Sequence, residues 1–377
     1  MHHPLRSSIL LFGLAAPIGA AQAQAPDSQR TTIGGYGEVH YTNHSGADTP
    51  GEVNLKRFVV YIGHQFSDRI TLRSELEVED AKIEGGAAGG EVSLEQAYLD
   101  YQLTEAFAVR AGLMLVPVGI VNEMHEPPTF NGVARPDFHH DVIPTTWREI
   151  GIGAAGRVAS LGGLSWRLLV LNGIKASGFS GAEGIRGGRQ EGREASFANP
   201  SLTGRLEYGR PGLKIAGSFW VGGSANQDSL LGAGNFDAPV SVLAVDARYE
   251  VGAFQFRGEV ARISVSEADK INTAFGADVG SRIEGGYLEG GTNLLAWLAP
   301  SSSQRLVAFA RHERYDTHAA VPLGTARNDA YARRITTIGL TYKPLWNVAF
   351  KSDYQLVRNR AHAGEGEILS LGVGYQF

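Results

Sequence analysis

The feature that most constrains this chain is a series of segments in which apolar and polar residues alternate. Side chains of a β-strand point to opposite faces in turn, so each segment has one apolar and one polar face. About 16 such segments are present, and most have the ~9–11 residues that a tilted transmembrane strand needs. The predicted strands are 31–42, 54–66, 69–79, 92–103, 106–116, 148–158, 163–173, 201–209, 212–221, 239–250, 253–264, 282–297, 305–314, 332–343, 346–357 and 367–377.

The links between the segments distinguish two all-β architectures. Long links, such as 43–53 and 358–366, alternate with turns of a few residues, such as 67–68. An outer-membrane barrel has short periplasmic turns and longer outer loops. A soluble β-sandwich also has short, regularly spaced strands, but it does not place every long loop at one end. The pattern therefore predicts an all-β fold, an antiparallel transmembrane β-barrel of about 16 strands.

The end of the chain supports a barrel. Leu369, Leu371 and Val373 share one face of the last predicted strand, which ends on Phe377. The ends of soluble domains usually fray, whereas a strand that is apolar outside and polar inside suits a transmembrane barrel. Aromatic residues beside the short turns predict an interfacial girdle. They are Phe66, Tyr101, Phe107, Tyr208, Phe254, Tyr342, Trp346, Tyr375 and Phe377.

The N-terminus predicts export. Arg6 precedes an apolar run over 9–21, and Ala21-Gln22-Ala23 forms a cleavage site of small residues. This predicts a signal peptide over 1–23, because the run is shorter than the ~20 residues of a spanning helix. Residues 24–377 then form a single barrel domain. The chain has no cysteine, and its net charge of -5 gives no basic stripe for nucleic acid.

Charged residues recur on the strand faces opposite the apolar ones. In 69–79, for example, Arg73 and Glu75 lie opposite Leu72 and Leu76. A cation that faced lipid at mid-membrane would cost ~2–4 kcal/mol, so these faces line the interior. A barrel of about 16 strands is wide enough for an aqueous channel. The predicted lumen-wall arginines are Arg73, Arg110, Arg157, Arg205, Arg248 and Arg257.

The third long link, 117–147, is rich in proline, acids and histidine. Ordered loops of about 30 residues are uncommon and usually functional, so we expect this loop to fold into the barrel as a constriction. Its residues would face wall arginines such as Arg110 and Arg157. The predicted constriction residues are Glu123, His125, Glu126, Arg135 and Asp137.

Two other interpretations of this loop are possible. One is a metal site with His125, His139, His140 and Asp141 as ligands, although their spacing matches no compact metal motif. The other is a catalytic site, although the chain lacks a Gly-x-Ser-x-Gly elbow. We therefore predict no metal, no cofactor and no enzymatic activity.

Several stretches resemble porins of the phosphate-selective porin O/P family. They are 126–133, 135–136 and 143–149 in the third loop, Arg57-Phe58 in the second strand and 96–101 in the fourth. The resemblance implies a 16-stranded outer-membrane barrel, commonly trimeric, with an inward-folded third loop. In that family, lumen arginines and constriction lysines attract anions. Here the third loop has no lysine and several acids.

These observations predict a passive diffusion channel of the bacterial outer membrane. Its partners would be membrane lipid, small hydrophilic solutes or ions, and two further copies of the chain in a homotrimer. A phosphate- or anion-selective porin is the alternative, and a barrel enzyme or adhesin is a less favoured one.

Overall fold

The computed structural model describes residues 30–46, 51–81, 90–225 and 237–377, and the predicted signal peptide lies outside them. Sixteen antiparallel strands form one closed barrel in which each strand pairs with its neighbours in sequence and β1 also pairs with β16. The strands are β1 Arg30–His44, β2 Glu52–Gln65, β3 Ile70–Glu79, β4 Val92–Thr104, β5 Phe107–Leu115, β6 Arg148–Val158, β7 Leu164–Leu171, β8 Ser201–Arg210, β9 Leu213–Gly222, β10 Val240–Val251, β11 Phe254–Val265, β12 Arg282–Asn293, β13 Arg305–Ala320, β14 Ala332–Leu345, β15 Val348–Asn359 and β16 Gly366–Gln376.

The predicted fold class is confirmed, and every predicted strand has a counterpart. One predicted boundary is wrong: the segment 282–297 ends as a strand at Asn293. The following residues turn into a short helix, in which the Leu298 N–H donates to the Leu294 carbonyl at 3.1 Å. In the described ranges the α-helices are α1 Phe138–Asp141, α2 Ala268–Phe275 and α3 Leu295–Leu298. None of the helices described is long and apolar enough to cross a membrane.

The outer face of the barrel carries a belt of exposed apolar side chains, including Ile152, Val260 and Leu288. Soluble monomers rarely expose large contiguous apolar patches, so this belt suits contact with lipid. Aromatic rings pair beside the short turns, as Tyr342 does with Phe350 at 6.4 Å between centroids. The belt and the rings together match the outer surface of a transmembrane barrel.

The last residue closes the barrel. The Phe377 N–H donates to the Gly35 carbonyl at 2.8 Å, and the Gly35 N–H donates to the Phe377 carbonyl at 3.0 Å. The ladder between β1 and β16 therefore continues to the end of the chain. A closed ladder leaves no strand edge, which is a requirement for sheet structure in lipid.

The interior is less open than the sequence predicts. Apolar side chains of the third loop pack against inward-facing residues of the wall, with Trp147 and Trp220 at 5.3 Å between ring centroids. Phe138 and Ile143 are also fully buried. Alternation within strands does not reveal this core, because the loop supplies much of its apolar surface.

This inner core gives a stability prediction. We expect Trp147→Ala to lower the free energy of unfolding by about 3–5 kcal/mol, because the ring is 0% exposed and leaves a cavity. Trp346→Ala is the control, since that ring is 78% exposed, and we expect a loss below about 1 kcal/mol. Urea unfolding in detergent micelles, followed by tryptophan fluorescence, measures both. Equal losses would contradict a packed inner core.

Candidate functional site: the third loop and the wall beside it

The loop between β5 and β6 crosses the interior, and carboxylates of the wall hold its backbone. A buried acceptor that matches a loop N–H replaces the hydrogen bond that water would make. Many inward acids of the strands therefore serve to anchor the loop. The contacts are Ile120 N to Glu259 Oε2 (3.0 Å), Val133 N to Asp353 Oδ2 (2.6 Å) and Phe138 N to Glu313 Oε2 (2.9 Å).

The two ends of the loop lie side by side. The Val116 N–H donates to the Trp147 carbonyl at 2.9 Å. The Asn122 amide donates to the Val116 carbonyl at 2.6 Å and to the Trp147 carbonyl at 3.0 Å. The loop therefore leaves the wall and returns to it at one point. The strands on either side of it, β5 and β6, are antiparallel neighbours in the barrel.

Glycines of β16 allow the loop to approach the far wall. A Cβ at Gly374 would lie 2.4 Å from the Pro127 Cβ, and one at Gly372 would lie 2.8 Å from a Val133 methyl. Any side chain at these positions would displace the loop, so their role is close approach.

Eight side chains join the loop to β1–β4, and we call them the loop–wall layer. At its centre the His125 Nε2 lies 3.4 Å from both Glu75 Oε1 and Glu95 Oε2. The Tyr36 hydroxyl donates to Glu95 at 3.3 Å. The members of the layer are Tyr36, Glu38, Arg57, Glu75, Glu77, Glu95, His125 and Arg135.

Arginines hold the outer part of this layer. The Arg57 guanidinium lies between Glu38 and Glu77, with N–O distances of 2.7 and 3.1 Å. Arg135 of the loop donates to the His125 carbonyl at 3.1 Å. These contacts join wall to wall and loop to loop, so the direct contact of the layer between loop and wall is that of His125 with Glu75 and Glu95.

Two cavities lie on opposite sides of the layer, and charged side chains line part of each. A cavity of about 460 Å³ at the long-loop end is lined by Glu38, Arg57 and Arg135, among others. A cavity of about 860 Å³ at the short-turn end is lined by Glu75 and His125, among others. The polar space of the interior thus follows β1–β4, where the apolar core does not reach.

The structure places the other predicted constriction residues at separate points of the loop. Glu123 pairs with Arg167 and lies 4.0 Å from Arg205. Glu126 accepts from the Tyr61 hydroxyl at 3.3 Å. Arg110, which we expect to face the loop, pairs with Asp100 at 3.1 Å. Asp137 is half-buried beside Glu313 and Asp141.

Burial and neighbouring charges shift the pKa of two loop residues that lie outside the strands. Burial alone would lower the pKa of His125, but Glu95 and Glu75 outweigh it and raise the pKa to about 10. Burial, with Glu313 and Asp141 nearby, raises the pKa of Asp137 to about 7.

Most of the predicted lumen-wall arginines pair with carboxylates, some of which they share. Arg205 lies 2.6 Å from Asp246, and the others pair at 3.1 to 3.4 Å. Arg157 is exposed near a short turn. An arginine that is already paired attracts a free anion weakly. The pairs are Arg73 and Arg110 with Asp100, Arg205 with Asp246 and Glu207, Arg248 with Glu207, and Arg257 with Glu289.

The four residues considered as metal ligands do not form one cluster, although His140 and Asp141 are in contact. His139 lies 3.0 Å from Glu259, and His140 lies 2.7 Å from Asp141. Asp141 also accepts from the Tyr315 hydroxyl and from Arg333. His125 is instead grouped with Glu75 and Glu95, neither of which was among the predicted ligands.

The sequence pattern misses Glu95 because a β-bulge changes the alternation. Glu75 pairs with Gln96 while Leu76 pairs with Leu94, so Glu95 is an extra residue in β4. The bulge turns its side chain inward, next to Gln96, although strict alternation would place the two on opposite faces. The clue in the sequence is the outward-facing Leu94, which is out of phase with Leu99.

A closed barrel of 16 antiparallel strands is a porin-type fold, and solved outer-membrane proteins share it. OmpF of Salmonella typhi aligns over 93% of this chain and 98% of its own, with 14% identity and a TM-score of 0.60. The outer membrane channel DcaP of Acinetobacter baumannii aligns over 94% and 99%, with 11% identity and a TM-score of 0.60. At these identities the likeness shows the fold.

Sequence similarity identifies a family. An uncharacterised protein of Aquifex aeolicus (strain VF5) is 36% identical over 335 residues, which cover 86% of this chain and 74% of that protein. The chain belongs to the same family as this protein. No family model matches the chain.

Proposed function

We propose that this protein is a bacterial outer-membrane channel through which small hydrophilic solutes or ions diffuse passively. The observation that carries the proposal is the pair of cavities, each lined in part by charged side chains, on opposite sides of the loop–wall layer inside a barrel with an apolar outer belt. Solutes cross along β1–β4, where polar side chains line the interior. The layer is the narrowest part of this path, and its charges set size and sign preference.

The proposed charge preference is for cations. The layer holds the carboxylates of Glu38, Glu75, Glu77 and Glu95, against the cations Arg57, Arg135 and His125. Acidic rings favour cations in pores. The alternative, a phosphate- or anion-selective porin, rests on the lumen arginines, most of which are already paired with carboxylates.

Reversal potentials across planar bilayers in a potassium chloride gradient test both the channel activity and the preference for cations. We expect conductance steps and a potassium-to-chloride permeability ratio greater than unity. Glu38→Gln is expected to move the ratio toward chloride, and Asp329→Asn, in an outer loop, is the matched control that leaves it unchanged. Anion preference with block by phosphate would support the alternative. Protein that gives no steps but hydrolyses lipid or binds a surface ligand would support a barrel enzyme or adhesin.

The proposed assembly is a homotrimer in lipid. OmpT of Vibrio cholerae, which shares 9% identity and a TM-score of 0.53 with this chain, has a trimer form. Native mass spectrometry from detergent measures the subunit number, and a monomer would contradict this part of the proposal.

A further inference from the structure

The core of the loop–wall layer has the composition of a metal-binding site. His125, Glu75 and Glu95 each offer a ligand atom, and these atoms lie within 4.8 Å of one another. All three side chains are buried. They come from the third loop, from β3 and from β4, so any ion bound between them would link the loop to the wall.

Two of the separations between the ligand atoms match those around a tetrahedral ion, and they are long for a direct ion pair. The His125 Nε2 lies 3.4 Å from one oxygen of each glutamate. A charge-assisted N–H···O hydrogen bond is usually ~2.7–2.9 Å long. A tetrahedral zinc ion with bonds of ~2.0–2.1 Å holds its ligand atoms about 3.4 Å apart. The ring therefore lies at the separation that a shared ion requires.

The surrounding hydrogen bonds prepare these atoms as ligands. The His125 Nδ1 lies 3.1 Å from the Asn122 carbonyl, to which it donates, and this leaves Nε2 directed at the carboxylates. The Gln96 amide donates to the second oxygen of Glu75 at 2.6 Å. Outer contacts of this kind fix the ring orientation and tautomer of metal-binding histidines.

Glu95 is the second, independent indication of a ligand. Its side chain is 0% exposed, yet Oε1 has no hydrogen-bond partner among the described residues. A buried carboxylate oxygen without a partner is costly. A divalent ion would add two positive charges beside the glutamates, in addition to the charge of the nearby Arg135.

An ion can reach the cluster from the short-turn end of the barrel. Glu75 and His125 line the cavity of about 860 Å³, which supplies an entry path and room for a water as fourth ligand. One imidazole with two carboxylates suits zinc, because magnesium and calcium prefer oxygen ligands.

We propose that Glu75, Glu95 and His125 bind one zinc ion, which ties the third loop to β3 and β4. This inference concerns binding, so it stands whether or not the barrel conducts. The alternative is a metal-free ion pair, in which a protonated His125 lies between the two glutamates.

Zinc titration of the untagged, folded protein in detergent, in competition with a chromogenic chelator, tests the proposal. We expect about one zinc ion per chain, and affinity reduced at least about tenfold in both Glu95→Gln and His125→Asn. His362→Asn is the matched control: this ring also lies near a glutamate, at 3.1 Å from Glu365, but its side chain is 77% exposed. It should bind as the wild type does. Equal affinity in all four proteins would overturn the site.

A measurement on the unaltered chain covers the case in which a variant does not fold. X-ray absorption of the zinc-loaded protein should show imidazole scattering and a four-coordinate shell of nitrogen and oxygen at ~2.0–2.1 Å. A six-coordinate oxygen shell without imidazole would contradict the assignment.

Discussion

Replacing residues 117–146 with a short Gly-Ser linker should raise the single-channel conductance at least about twofold. A barrel of this strand number without an inner loop leaves an open aqueous channel. A short linker can join the two ends without distorting β5 and β6, because Val116 and Trp147 are already joined by a hydrogen bond of 2.9 Å. Planar-bilayer recordings measure the change, and an unaltered conductance would show that the loop does not limit flow.

The control for this deletion is a shortened outer loop. Replacing 322–326 with the same linker should leave the conductance unchanged, since this segment lies between β13 and β14 at the long-loop end. The deletion also removes part of the inner core, so heat-modifiable migration on gels must first establish that the barrel forms.

Asp353→Asn tests the same role of the loop in a chain of full length, because the substitution weakens the hydrogen bond that holds the Val133 N–H. We expect it to increase fluctuations between conductance levels.

The second large effect concerns the outer belt. We expect Ile338→Arg to lower the stability of the barrel in lipid by about 2–4 kcal/mol, the cost of a cation at the membrane midplane. Ile338 is 55% exposed in the middle of β14 and points outward. Unfolding by urea in liposomes, with reversible refolding, measures the loss.

The matched control for Ile338→Arg introduces the same charge outside the belt. Leu323→Arg lies in an outer loop where the native side chain is 98% exposed, so we expect a change within about 0.5 kcal/mol. If Ile338→Arg were as mild as Leu323→Arg, the belt would not be the lipid-facing surface.

The proposed zinc site and the proposed pore both involve the third loop, but they are tested by different properties, namely zinc affinity and conductance. Zinc at Glu75, Glu95 and His125 would strengthen the attachment of the loop, whereas the deletion of 117–146 removes His125 altogether. A chain that conducts but binds no zinc, and one that binds zinc but does not conduct, are therefore separable outcomes.

Much of the wall could be predicted from the sequence because strand alternation in a barrel is a local property. Each outward position of β10, such as Leu243 and Val245, must face lipid, and each inward one, such as Asp246, must not. The lengths of the links then specify which end carries the loops. The inner core was not predictable in this way, since Trp147 meets Trp220 only after the loop has folded inside.

The sequence by itself determined the architecture: about 16 alternating segments, alternately short and long links, and a last strand ending on Phe377. Only the tertiary structure decided which charged groups meet. His125 is 30 residues beyond Glu95 and 50 beyond Glu75 in sequence, and the inward excursion of the loop joins them. Glu95 itself points inward because of a bulge in β4, which breaks the local period on which any reading of alternation depends.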